Sequence, residues 1–321
     1  MEQRIQELGR QVLAETGKII IGKERQVKLT LVALLSQGHI LLDDLPGAGK
    51  TTLVKTLSIV LGLESRRIQF VPDLLPADIL GMNIFNQKTG EFQLMRGPIM
   101  TNLLLADEIN RAIPRTQSAL LEAMEEEQVT IDGETFPLPQ PFVVMATQNP
   151  VESETTFQLP AAQMDRFLVR LSLGYPSPEE EQRMLDTLGD GIPFSQVRTV
   201  TSGEELLRLQ EEVREVFVSP EVSRYIVELT AATRRDPMAR MGVSPRGSRS
   251  LYRAAKAWAA LEGRDFVTPD DVQLLAHPVL DHRILLSNEA RLSGLTAEKL
   301  LDSTLEQVPV PPAAEELLHG Q

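Results

Sequence analysis

The run Gly47-Ala48-Gly49-Lys50-Thr51 constrains this 321-residue chain more than any other feature. It follows a short apolar run, His39–Leu42, and opens a stretch in which Leu53, Leu57, Val60 and Leu61 recur at helical spacing. A strand that turns through glycines into a helix N-terminus is a cradle for anions, because backbone N–H groups and the helix dipole both face the loop. Gly47 and Gly49 let the backbone approach a phosphate closely. Lys50 supplies a positive charge for the β and γ phosphates, and Thr51 a hydroxyl for Mg²⁺. The strict pattern GxxxxGK[ST] has glycine where this chain has Asp44. The alternative is a plain Gly-rich turn. The apolar strand before the loop and the amphipathic helix after it favour phosphate.

The same alternation continues through the first half. Further strand candidates are Arg67–Phe70, Leu103–Asp107, Phe142–Thr147 and Phe167–Leu173, and Ala119, Leu120, Ala123 and Met124 mark a helix between two of them. Apolar strands alternating with helices predict an α/β fold with a parallel sheet covered on both faces. The alternation stops near Tyr175. There Ser177, Pro178 and Glu180 read as a capping box that opens a helix. Only helical patterns follow, over Val222–Ala232, Arg249–Leu261 and Val272–Leu280. The expected division is a core at 1–175, a smaller all-helical domain at 176–305, and a mobile tail at 306–321. Two hairpins are expected within the core. One lies in the stretch 73–97, turning at QKTGE, and the other at Gln128–Phe136 around Asp132-Gly133. Either could be a surface ribbon or a tool that reaches a partner.

Two further segments carry chemistry. Leu103–Asp107 ends in adjacent carboxylates, Asp107 and Glu108. Consecutive strand residues point to opposite faces, so the two are expected to differ in role. Asp107 suits the Mg²⁺ shell and Glu108 suits polarising a water. Asn149, in Ala146-Thr147-Gln148-Asn149-Pro150, could hold that water or the γ-phosphate. It could equally be a turn residue before proline.

Composition narrows the class. Acidic residues outnumber basic ones, 45 to 32, for a net charge of −13. That balance speaks against a general nucleic-acid binder. There is no cysteine, which excludes disulfides, thiolate metal sites and thiol catalysis. His39, His277, His282 and His319 show no metal-ligand spacing. No run is long and apolar enough to span a membrane. The charged N-terminal segment, with Ile5, Leu8 and Val12 on one helical face, reads as an amphipathic helix and not a signal core. A cytoplasmic protein is expected.

The set GAGKT, LLLADEINR, ALLEAMEEEQVTIDG, ATQNP, LPAAQMDRF and SPRGS resembles the MoxR family of AAA+ ATPases, from about Ile19 to about Arg283. The resemblance implies a P-loop AAA+ domain with a five-stranded parallel sheet, a smaller helical lid, and assembly as a homo-hexameric ring. It implies ATP and Mg²⁺. Lys50 and Thr51 then match the Walker A residues, within a loop that includes Pro46, Gly47, Ala48, Gly49 and Thr52. Asp107 and Glu108 match Walker B, and Asn149 matches sensor 1. Arg166 matches the arginine finger and Arg246 the sensor 2 arginine. Ile20-Ile21-Gly22 resembles the adenine-contacting segment. Two alternatives remain at the arginines. Arg166 could pair with Asp165 or a nearby helix end, and Arg246 lies in an arginine-rich run with Arg240, Arg249 and Arg253 that could be a solvated basic face. Arg111 and Arg115, after Walker B, could also face a subunit boundary.

The resemblance further implies that the stretch 73–97 is the insert of this AAA+ clade and that 128–136 is the hairpin before sensor 1. Phe85, Phe92 and Met95 are candidate client contacts, or they pack under their own hairpin. The expected activity is ATP hydrolysis that remodels or matures a client protein. A protein with a von Willebrand A domain is the expected partner, as a separate chain. The competing readings are a nucleic-acid motor or McrB-like GTPase, and a nucleotide-gated scaffold with little turnover.

Overall fold

The computed structural model describes residues 2–43, 47–148, 157–189 and 191–312. Pro46 and Asn149 lie outside these residues, as do Asp44 and the end of the expected tail. In chain order the first elements are α1 (Glu2–Thr16), α2 (Glu24–Leu35), β1 (His39–Asp43), α3 (Lys50–Leu61), β2 (Ser65–Gln69) and α4 (Pro76–Leu80). There follow β3 (Gly81–Asn86), β4 (Glu91–Arg96), β5 (Leu103–Asp107), α5 (Pro114–Glu126), β6 (Gln128–Ile131), β7 (Glu134–Pro137), β8 (Val143–Gln148), α6 (Ala161–Met164) and β9 (Phe167–Leu171).

All five expected strands pair in one sheet of order β2-β5-β8-β1-β9. Every pairing in it is parallel. The period-two alternation of a strand sorts its residues into two layers. Ile40, Leu42, Leu103, Leu105, Val143 and Met145 join α1, α2 and α3 on one face. Leu41, Leu104, Ala106, Val144 and Ala146 join α5 on the other. Both faces are covered at the inner strands, so β1, β5 and β8 read as nearly continuous apolar runs, whereas the edge strand β2 buries only Ile68. On α1, Ile5, Leu8 and Val12 are buried as one stripe.

Beyond Tyr175 the chain is helical. The elements are α7 (Pro178–Leu188), α8 (Gly203–Arg214), α9 (Pro220–Arg235), α10 (Pro245–Leu261), α11 (Pro269–Leu280), α12 (Asn288–Leu292) and α13 (Ala297–Gln307). The capping box at α7 forms: Ser177 Oγ accepts from the Glu180 N–H, and the Glu180 carboxylate accepts from the Ser177 N–H. Besides the helices there is a short antiparallel pair of β10 (Ala239–Met241) and β11 (Leu285–Leu286), and α8, α12 and α13 join the helices singled out along the sequence. Runs of three and two residues are too short to show alternation. Leu209, Leu251, Ala254 and Trp258 belong to the same apolar cluster as Ile40 and Leu42, so sheet and lid helices share one core. Within the expected tail, α13 continues to Gln307 and Val308 is buried.

Both hairpins form. The β6–β7 turn has positive φ at Asp132 and Gly133, the geometry that an Asp-Gly pair accepts. The β3–β4 hairpin stands beside it, and Asn83 Nδ2 donates to the Asp132 carboxylate at 2.9 Å. Phe85 and Phe92 pair edge to face across β3–β4, with ring centroids 5.3 Å apart. They do not pack under the hairpin: Phe92 is 72% exposed, and Phe85 and Met95 are also exposed.

Candidate active site

The phosphate-type loop follows the C-terminal end of β1, an inner strand of the sheet between β8 and β9. Gly49 caps α3 in the left-handed region at φ 85, and Gly47 shares that φ. A Cβ built at either glycine meets nothing within 4 Å, so open space lies directly above this backbone. That space is a cavity of about 390 Å³. Gly47, Ala48, Gly49, Lys50, Thr51 and Thr52 line one side, and Asp107 and Glu108 the other. Thr51 and Asp107 offer one hydroxyl and one carboxylate, an oxygen donor set suited to Mg²⁺ that retains water.

A second, mostly apolar cavity of about 370 Å³ adjoins the first and shares Gly47, Ala48, Gly49 and Thr52 with it. Ile19, Ile20, Ile21, Leu173, Met184 and Leu188 line it. An apolar slot continuous with an anion cradle suits a nucleotide, base in one and phosphates in the other. Gly22 is not part of that lining. It has φ 73, and a Cβ there would meet the Glu180 carboxylate at 1.9 Å, so it accommodates the start of α7.

The Asp107–Glu108 pair differs from simple strand geometry. β5 ends at Asp107, and Glu108 turns into the left-handed region at φ 55. A non-glycine residue there is uncommon and costs energy, and such residues gather at functional sites. The turn brings both carboxylates to the same cavity, where continued strand geometry would have separated them. Thr147 on β8 fixes the turn: its Oγ1 accepts from the Glu108 N–H at 2.8 Å and donates to Asp107 Oδ1 at 2.6 Å. Glu108 Oε2 accepts from Gln69 Nε2 and from Arg111 Nη1, both at 2.8 Å. Asp107 Oδ2 accepts from Arg67 Nη2 at 2.6 Å.

Arg166 and Arg246 are not in this cavity. They line a different one, of about 320 Å³, with Arg249, Arg253, His39 and Glu125. Arg166 pairs with the Glu125 carboxylate at 2.9 Å, and Arg246 pairs with its other oxygen. Of the two alternatives for Arg166, the pairing with Asp165 does not form, because that carboxylate bonds to Arg283 and Ser244, whereas the pairing with a helix end does, since Glu125 lies in the last turn of α5. The position of this basin follows from the sheet. Phe167, the first residue of β9, pairs with His39, the first residue of β1. The arginines therefore sit at the N-terminal ends of the strands and the phosphate loop at the C-terminal ends. A five-residue strand separates them by roughly 16 Å at about 3.3 Å per residue. His39 itself is a structural link in the basin floor. Its Nδ1 accepts from the Val144 N–H at 3.1 Å, its Nε2 lies 3.0 Å from the Met124 carbonyl, and burial pulls its pKa down to about 4.

Comparison with known proteins agrees with this architecture. Residues 39–169 match the model of the ATPase family associated with various cellular activities (AAA), and residues 231–304 match an AAA lid domain. YeaC of Bacillus subtilis is 49% identical, with 92% of each chain aligned. Chaperone MoxR1 of Mycobacterium tuberculosis is 44% identical over 92% of this chain and 81% of its own. The chain belongs to the MoxR family of AAA+ ATPases. A crystal structure from Cytophaga hutchinsonii, described as that of a candidate ATPase, superposes at a TM-score of 0.90 with 38% identity, covering 97% of both chains.

For this MoxR-family chain, reading along the sequence missed Arg67, Gln69, Thr147 and Glu125. Arg67 and Gln69 lie on β2, whose residues Ile68 and Gln69 pair with Ala106 and Asp107. Their partners are 39 or 40 residues distant, and spacing along the chain carries no trace of that. Arg111 was legible only as a boundary candidate, and the structure pairs it with Glu108 of its own chain. No described helix is long and apolar enough to cross a membrane.

Proposed function

We propose that this chain hydrolyses ATP, and that each nucleotide is completed by arginines from a neighbouring copy in a ring. The observation that carries the reading is the separation of Lys50, Asp107 and Glu108 from Arg166 and Arg246 at opposite ends of one sheet. Within a subunit the base lies in the apolar slot beside Ile21, and the triphosphate follows the loop of Gly47–Thr52. Lys50 binds the β and γ phosphates. Thr51 and Asp107 would hold Mg²⁺, which neutralises charge on the phosphate oxygens. Glu108, its backbone fixed by Thr147, orients and polarises the attacking water. Asn149 is assigned the sensor 1 role on sequence alone. Arg166 and Arg246 stabilise charge on the transferring phosphoryl group of the adjacent subunit, which a guanidinium does better than an ammonium. Glu125 holds both arginines together until a phosphate replaces it.

The work of hydrolysis is remodelling or maturation of a client protein, in the cytoplasm and with a separate von Willebrand A domain partner. The relative named Chaperone MoxR1 supports the chaperone reading. The exposed apolar pair Phe85–Phe92 supplies a client-facing surface on the insert. Sixfold assembly is part of the same proposal. A nucleic-acid motor fits a net charge of −13 poorly. The test is phosphate release from purified protein with ATP or GTP and Mg²⁺, with Glu108→Gln alongside. Release from ATP that Glu108→Gln abolishes, while nucleotide binding persists, is the expected result. Binding without release at any protein concentration would favour the scaffold reading, and preference for GTP the McrB-like one.

A further inference from the structure

We infer that Asp165 and the buried Arg283 form a strut that positions Arg166 of the core and Arg246 of the lid as one rigid unit. The inference rests on the proposed action of those arginines on a neighbouring subunit. Asp165 immediately precedes Arg166, and its carboxylate is divided between two lid residues. Oδ1 accepts from Arg283 Nε at 2.7 Å, and Oδ2 accepts from Ser244 Oγ at 2.8 Å. Ser244 is the N-cap of α10, accepting from the Gly247 N–H, and Arg246 is the second residue of that helix. One carboxylate thus touches the cap of the helix that carries one arginine and adjoins the other in sequence.

Arg283 anchors the strut from below. It is only 3% exposed. Its remaining donors are shared among the carbonyls of Asp165, Phe167, Leu168 and Val279, Ser250 Oγ and the neighbouring His282 Nε2, so it grips the start of β9 and two lid helices at once. Burial lowers its pKa to about 10, which leaves it charged at neutral pH. Gly247 makes room for it: a Cβ there would lie 2.8 Å from Arg283 Cδ. A buried ion pair is a weak source of stability, because desolvation offsets the attraction, but its geometry is exacting. Here that geometry fixes the spacing between two guanidinium groups that must meet one phosphate. Asp165, Ser244 and Arg283 are positioning residues. None of them lines the phosphate cavity.

Mixing subunits tests this. Asp165→Asn is expected to lower kcat at least tenfold and to leave the ATP Kd within twofold. Mixed with Glu108→Gln, itself inactive, it should recover turnover, because the Glu108→Gln subunit supplies sound arginines to a neighbour with a sound Glu108. A fold defect would not be rescued in this way. The mixture of Arg166→Ala with Glu108→Gln is the control. If the control recovers and the Asp165→Asn mixture does not, the strut proposal fails. If the control stays inactive, the reading on which it rests fails. Should Asp165→Asn not fold, Ser244→Ala decides the matter, since it removes the bond to Asp165 together with the cap bond from the Gly247 N–H and leaves the Arg283 pair intact. A several-fold fall in kcat at unchanged ATP Kd supports the strut, and unchanged kcat overturns it.

Discussion

The two ends of the central sheet are built differently. The C-terminal end is a backbone site: glycines at φ 85, open space above them, and carboxylates delivered by neighbouring strands. The N-terminal end is a side-chain site: Arg166 and Arg246 reach it from core and lid and share one counter-ion, Glu125. A backbone cradle can bind phosphate alone. Arginines about one strand length away cannot stabilise that phosphate's transition state within the same chain. The contrast teaches why the proposed function needs a second copy: on that proposal one chain holds two halves of different sites.

The largest effect expected from breaking this contrast is at Arg166. Arg166→Ala should cost turnover roughly 10³- to 10⁵-fold, the range for an arginine supplied in trans. ATP affinity measured on dilute protein should stay within about twofold, given that Arg166 lies outside both nucleotide cavities. Steady-state phosphate release and a fluorescent-nucleotide titration check the two halves of that statement. An equal loss of affinity would place Arg166 in its own subunit's site.

Thr147→Val probes the other end. It removes the acceptor of the half-buried Glu108 N–H and a donor to the buried Asp107 carboxylate, so each loses a partner. Stability should fall by about 1–3 kcal/mol, the cost of an unsatisfied buried polar group. Turnover should fall further than Tm suggests, because Glu108 then leaves its left-handed turn. Unchanged kcat in Thr147→Val would show that the turn holds without the hydroxyl.

Acid separates the two ends more gently. His39, in the floor of the arginine basin, has its pKa lowered from 6.5 to about 4 by burial. The folded state thus binds its proton less readily than the unfolded state. The stability contribution is full above about pH 6.5 and is lost as pH falls toward 4, by up to about 3 kcal/mol. The lowered pKa of buried His282 acts in the same direction. No histidine lines either nucleotide cavity. Denaturant unfolding across this range should show the slope, and His39→Gln should flatten it.

Much of this was legible along the chain, and the reason is local physics. The inner strands β1, β5 and β8 were readable because they are buried on both faces, and the helix starts because Ser177 and Thr268 announce their caps. The Asp-Gly turn of the second hairpin was equally plain. What stayed hidden depends on register between distant segments. Gln69 meets Glu108 only because β2 lies beside β5, and Glu125 meets two arginines only because α5 returns to the start of β9. The opposite-face expectation for Asp107 and Glu108 assumed that the strand continued, and it ends at Asp107. Arg166 was matched to a finger by motif, but its distance from the chain's own phosphate loop became visible only with the pairing of His39 and Phe167.

The most direct test of two half-sites on one chain is specific activity as a function of protein concentration. Phosphate release per subunit, at saturating ATP and Mg²⁺, should rise from near zero in dilute protein to a plateau as copies assemble. Turnover per subunit that is constant down to the most dilute, monomeric sample would contradict the account.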